Sequence, residues 1–203
     1  MKANRISISF VGVFSKIQMM IPQLNSDFCQ NIFGEPDSTL SALTPTGFVI
    51  KHREKVSPAI AITPQKVIVS AVDLDKLVRY VGKLQSELKK YEFAAYGLNQ
   101  EIEWIDLDRS AKEWLFNQFI REDLKIENKP AVCGKLNLQY IINDKEQLFL
   151  DFEPRINVDN GIFGSINHHN QYPIFGFPNE KKLRELFMDS EKLVNSYLDA
   201  LIH

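Results

Sequence analysis

With 203 residues, 44% of them apolar, and a formal net charge of −2, the chain can bury a sizeable core; it has neither the composition of a disordered segment nor the basic excess of a nucleic-acid-binding domain. Charge is uneven: residues 1–92 carry 12 Lys/Arg and 8 Asp/Glu, while residues 93–203 carry 12 and 18. Cys29 and Cys133 lie far apart with no histidine beside them, which argues against a disulfide framework or a zinc knuckle.

Arg5 to Phe14 alternates Ile6, Ile8 and Phe10 with Ser7 and Ser9, the period of a half-buried strand. The same segment ends at Lys16 without a small-residue cleavage site, so it does not read as a signal peptide, and no stretch reaches membrane-spanning length. A cytoplasmic location without membrane contact is therefore expected. Lys16 to Thr46 holds Pro22, Pro36 and Pro45; a short helix is predicted around Leu24 to Phe33 and loop for the remainder. Strands are predicted at Gly47 to Glu54, Pro58 to Ile62 and Lys66 to Ala71, with Pro58 and Pro64 marking the turns. Asp73 then caps a helix to about Tyr91, whose stripe is Leu74, Leu77, Val78, Val81, Leu84, Leu88 and Tyr91.

A long strand from Phe93 to Ile105 opens the second half. Ser110 and Glu113 form a capping box for a helix to about Arg121. Leu136 to Ile142 and Glu146 to Ile156 alternate as a hairpin around Asn143–Asp144, and Asp159-Asn160-Gly161 predicts a tight turn into a third strand, Ile162 to His169. Tyr172 to Phe177 extends the sheet or covers an edge. Asn179 caps the last helix, with Leu183, Leu186, Phe187, Leu193, Val194, Tyr197, Leu198 and Leu201 as its stripe.

Each half thus reads as strand, linker or helix, three strands, helix. The predicted fold is α+β: two β-(linker/α)-βββ-α units, residues 1–92 and 93–203, sharing a mostly antiparallel curved sheet with long helices on one face. No flexible linker marks the boundary near Glu92, so a single domain of two pseudo-repeats is expected.

This order of elements resembles the two-repeat fold of the TATA-box-binding protein and its relatives. The stretch Tyr96-Gly-Leu-Asn-Gln-Glu-Ile102 is similar to a mid-chain strand of an uncharacterised bacterial family. The first resemblance implies a topology. DNA binding of that kind needs a basic concave sheet with apolar wedges, and the acidic second half departs from it.

With Asn160 and Gly161 as a two-residue loop, Asp159 would pair with Ile162 and Glu153 would fall opposite His168 or within one residue of it. Asp151, Glu153 and His168 on one face could hold a divalent cation or act as an acid–base set; the competing reading is a solvated charge pair across a hairpin. On the charge-pair reading Asp151→Ala and His168→Ala are expected to change stability little and to bind no less metal than the parent chain; a loss of bound metal in either would favour the hydrolase reading. Lys51, Arg53 and Lys55 share one face of a strand and could meet phosphate, or protect a sheet edge. Phe149, Phe152, Phe163, Tyr172, Phe175 and Phe177 could line a ligand surface, although packing under the helices is the plainer expectation. No phosphate loop, Walker lysine, nucleophile elbow or His-Glu-x-x-His is present. The expectation is a binding or interaction protein working through an open sheet face, with a protein partner or self-association and no cofactor. A hydrolase centred on residues 151–169 and a weak nucleic-acid binder are the alternatives.

Overall fold

The computed structural model of the chain describes residues 2–18, 39–44, 47–52, 60–119, 125–126, 129–130, 134–155 and 159–202. In chain order its elements begin with β1 (Lys2–Phe14), β2 (Thr39–Thr44), β3 (Gly47–His52), β4 (Ile60–Ile62), β5 (Lys66–Ala71) and α1 (Leu74–Leu88). There follow β6 (Glu92–Ile105), α2 (Ala111–Phe119), β7 (Lys125–Ile126), β8 (Lys129–Pro130), β9 (Leu136–Asn143), β10 (Glu146–Pro154), β11 (Ile162–Asn170), β12 (Ile174–Phe175) and α3 (Glu180–Ile202). The predicted helix at Leu24 to Phe33, both cysteines, Arg53 and Lys55 lie outside the described residues.

β1 and β6 pair antiparallel from Lys2↔Ile105 to Phe14↔Phe93 and form the middle of the sheet. Strand order across the sheet is β2-β3-β4-β5-β1-β6-β11-β10-β9, with β12 attached to the start of β6. From the centre outward, each half therefore places the last of its three strands first, then the middle one, then the first. The α+β class and the doubled strand arrangement follow from this order. β2 corrects the loop reading of the end of the Lys16 to Thr46 segment: Thr39 to Thr44 pairs with β3. Thr39, Leu40, Leu43 and Thr44 suit a strand locally, but the prolines on either side obscured it.

The three helices among the described residues cover one face. Ile8, Phe10 and Phe14 of β1, Val67 and Val69 of β5, and Phe93 and Leu98 of β6 pack under α1 and the first turns of α3, with Leu77, Val81, Leu84, Leu183 and Phe187 above them. A second cluster gathers Trp104, Leu148, Leu150, Phe152, Ile162 and Ile166 beneath Trp114, Leu115 and Val194. α3 thus crosses from one cluster to the other, and at roughly 1.5–3 kcal/mol for each fully buried large apolar side chain these contacts dominate its placement. Local chemistry fixes the helix starts: Asp73 Oδ1 accepts from Lys76 N at 2.8 Å, Asn179 Oδ1 accepts from Lys182 N at 2.8 Å, and the Ser110–Glu113 box closes with both bonds at 3.2 Å. Arg5, on the helix side of β1, pairs with Glu191 of α3.

Glycine marks one tight spot. A methyl group on Gly164 would overlap the Trp104 ring and stand 3.3 Å from Phe152 Cδ1, whereas one on Gly97 would meet nothing nearer than 3.5 Å. Gly164→Ala is therefore expected to lower unfolding free energy by about 1–3 kcal/mol in chemical denaturation, with Gly97→Ala near neutral.

Candidate functional site

The face opposite the helices is read from the strand registers. One row crosses the sheet as Val49, Ala61, Ile68, Val11, Gly97, His169, Gln147 and Ile141. The next row runs Ser70, Ser9, Asn99, Asn167, Phe149 and Gln139. The row beyond it runs Ser7, Glu101, Ser165, Asp151 and Asn137. Alternation along each strand sends these side chains away from the helices. The first half of the face mixes apolar side chains with the hydroxyls of Ser7, Ser9 and Ser70, and the second half adds amides and carboxylates.

A groove of about 310 Å³ lies where the two halves meet, lined by Ser9, Val11, Val13, Lys66, Ile68, Gly97, Asn99, Asn167 and His169. Its floor is open because Gly97, between Val11 and His169 in its row, has no side chain. The Asn99 amide donates from Nδ2 to Ser9 Oγ at 3.1 Å, which turns Oδ1 toward Gly97. From the point where a Cβ on Gly97 would stand, Asn167 Oδ1 is 3.5 Å away, Asn99 Oδ1 3.7 Å and Val11 Cβ 3.8 Å. Asn99 Oδ1 is shielded from water and accepts no hydrogen bond, a condition that costs about 1–3 kcal/mol. Gly97 and Asn99 lie in the stretch Tyr96 to Ile102 that carries the second resemblance, which assigned them no role, and nothing in the sequence pattern singled out Asn167. Only the pairing of β6 with both β1 and β11 brings them together.

The Asp151, Glu153 and His168 set does not assemble. β10 and β11 pair as Pro154↔Ile162, Glu153↔Phe163 and Leu148↔His168, so the partner of Glu153 lies five residues from His168. The cause is the predicted turn. Asp159 O accepts from Ala111 N at 2.7 Å and Asn160 O from Leu107 N at 3.2 Å, so this segment anchors the start of α2. Arg155 N to Gly161 O, at 2.9 Å, closes the wider loop instead. Asp151 and Glu153 face away from the helices; Asp151 is held by Asn137 and lies 3.5 Å from Lys135 Nζ. His168 points to the helix side, is 5% exposed, and meets Glu146 Oε1 at 2.7 Å. Its neighbour His169 is the histidine on the open face. Lys51 pairs with Leu40 in the β2–β3 ladder. The aromatic group divides: Phe152 and Phe177 are core, Phe149 and Phe163 stand on the open face, and Tyr172 and Phe175 are exposed, Phe175 at 84%.

Under α3 a buried polar seam separates the two apolar clusters. It contains Gln100, His168, Asn170 and, from the helix, Ser190, which is 1% exposed. Ser190, His168 and Glu146 are the residue types of a nucleophilic triad. Ser190 Oγ and His168 Nδ1 make no hydrogen bond and are closed to water. Tyr96 borders the seam, stacked at 6.2 Å on Phe10. Burial, with the Glu146 carboxylate adding to it, pushes its hydroxyl up to about 12. Among the described residues no group of three or more His, Cys, Asp or Glu could hold a metal ion, and no helix is long and apolar enough to cross a membrane.

Comparison with protein-family models, curated proteins and solved structures finds no match.

The burial of His168 revises the expectation that its removal is harmless. In urea titrations His168→Ala is expected to cost about 1–3 kcal/mol, because Glu146 loses its buried partner, and Asp151→Ala less than about 1 kcal/mol. Because the folded value of Tyr96 is raised, its contribution is complete below pH 10 and fades as pH climbs from 10 toward 12, roughly 2–3 kcal/mol in all. Unfolding followed across that window should show a shallower decline for Tyr96→Phe.

Proposed function

We propose that this chain is a binding protein that works through the open face of its sheet, with the groove over Gly97 as the point of contact. The observation that carries the proposal is the water-shielded, unpartnered amide oxygen of Asn99 beside a gap that Gly97 leaves in an otherwise continuous row of side chains. A buried acceptor without a donor gains more from an incoming donor than one already solvated. The volume of about 310 Å³ sits at the lower end for small-molecule sites, so the groove suits one small ligand or one side chain of a larger partner. On this reading the two pseudo-repeats, residues 1–92 and 93–203, act as one domain, because the groove is built from strands of both. A cytoplasmic location, and engagement of a protein partner or a second copy, belong to the same proposal. DNA binding of the TATA-box-binding kind is no part of the proposal.

A mixed library of amines, acids, amides and short peptides, followed by amide-resolved NMR on the full chain, tests the proposal. Binders are expected to shift Gly97, Asn99, Asn167 and His169, and Gly97→Val is expected to remove those shifts. Responses confined to the outer surfaces of α1 and α3, or unchanged in the variant, would sink it.

A further inference from the structure

Resting on the open-face reading, we infer that the groove selects a primary ammonium carried on a short aliphatic chain whose far end is neutral or anionic.

Three features of the face define this ligand. The first is the acceptor pair over Gly97. Asn167 Oδ1 and Asn99 Oδ1 stand 3.5 and 3.7 Å from the point a Cβ would occupy, so both oxygens border the space over Gly97. An ammonium offers three donors to them and no acceptor. The second is charge. Glu101 lies in the adjoining row, and Glu103, Asp151 and Glu153 follow on the same face. Arg155 faces Glu103 at 2.7 Å, and Lys135 faces Asp151; Glu101 accepts from the Ser7 hydroxyl at 2.6 Å. Carboxylates thus outnumber cations beside the amide pair, which attracts a cation and repels a carboxylate at that end.

The third feature is the opposite end. From Gly97 the groove wall continues over Val11, Val13 and Ile68 and ends at Lys66, the one cation among its lining residues. Lys66 is two strands and one row away from Gly97, a separation of roughly 12 Å at ordinary strand spacing. Side chains stand roughly perpendicular to a sheet, so Lys66 leaves that separation open, and an extended chain of about six carbons, ~7–8 Å from nitrogen to carboxyl, with one contact of about 3 Å to Nζ spans it. The apolar wall accepts the methylenes. Lys66 disfavours a second ammonium and favours a carboxylate.

Titration calorimetry of the full chain with 6-aminohexanoate, hexylamine, 1,6-diaminohexane and hexanoate tests the inference. 6-Aminohexanoate is expected to bind best, hexylamine next, and the diamine and hexanoate at least about tenfold more weakly, the effect of one charge-assisted contact. Asn167→Ala, at an exposed position, should weaken 6-aminohexanoate about tenfold, and Gly97→Val should abolish binding. Lys66→Glu should reverse the order of the amino acid and the diamine. Equal binding of diamine and amino acid, preference for hexanoate, or indifference to Asn167→Ala and Lys66→Glu would overturn the inference. If library compounds of other chemistry still shift Gly97 and Asn99 while this series does not bind, the ligand class is wrong and the open-face reading stands. Silence from both fails both.

Discussion

The antiparallel pairing of β1 with β6 is the constraint on which the remaining structure depends. It joins the two halves through their longest strands and decides which side chains share each face. Its two register shifts, between Arg5 and Ser7 and between Val13 and Phe14, matter as much as its length. Without the second shift, Phe14 and Phe93 could not both lie with Phe10 beneath α1, and without the first, Arg5 would lose Glu191 of α3. A slip of one residue anywhere in this ladder would exchange the Phe10–Leu98–His168 row with the Val11–Gly97–His169 row. Core and groove are therefore two consequences of one register.

The helix face is divided by polarity. α3 lies over both apolar clusters through Leu183, Phe187 and Val194, and between them it sets Ser190 above a strand surface that carries Gln100, His168 and Asn170. Buried polar groups weaken a core unless they are satisfied, and Gln100 Nε2, His168 Nδ1 and Ser190 Oγ make no hydrogen bond. The seam therefore adds less to stability than the clusters on either side of it, while the His168–Glu146 pair keeps the imidazole fixed. Its position explains why adjacent histidines have different surroundings. Strand alternation sends His168 into the seam and His169 to the groove.

Much of the architecture was legible in the chain because it is written in local chemistry. Asp73, Ser110 with Glu113, and Asn179 announced three helix starts, and all three make the bonds their types imply. The alternation in Leu136 to Ile142 and Glu146 to Phe152 gave the strands and their inward faces. The Asp159-Asn160-Gly161 signal misled because a turn sequence states a preference, and the carbonyls of Asp159 and Asn160 found donors in the α2 segment instead. That substitution shifted β11 along β10 and dissolved the expected Asp151–Glu153–His168 set. Ser190 was missed for a related reason: it occupies a stripe position that the apolar periodicity of the last helix skips.

What the sequence determined alone is the kind and order of its elements, since helix caps and periodicities of 2 and 3.6 act over a few residues. Which strand lies beside which, and in what register, was decided by the folded molecule, because that choice compares pairings between residues as distant as Ser9, Asn99 and Asn167. The groove belongs wholly to that second level. A serine and two asparagines separated by so much chain carry no common signal until the hydrogen-bonded ladder sets them side by side and leaves one amide oxygen without a donor.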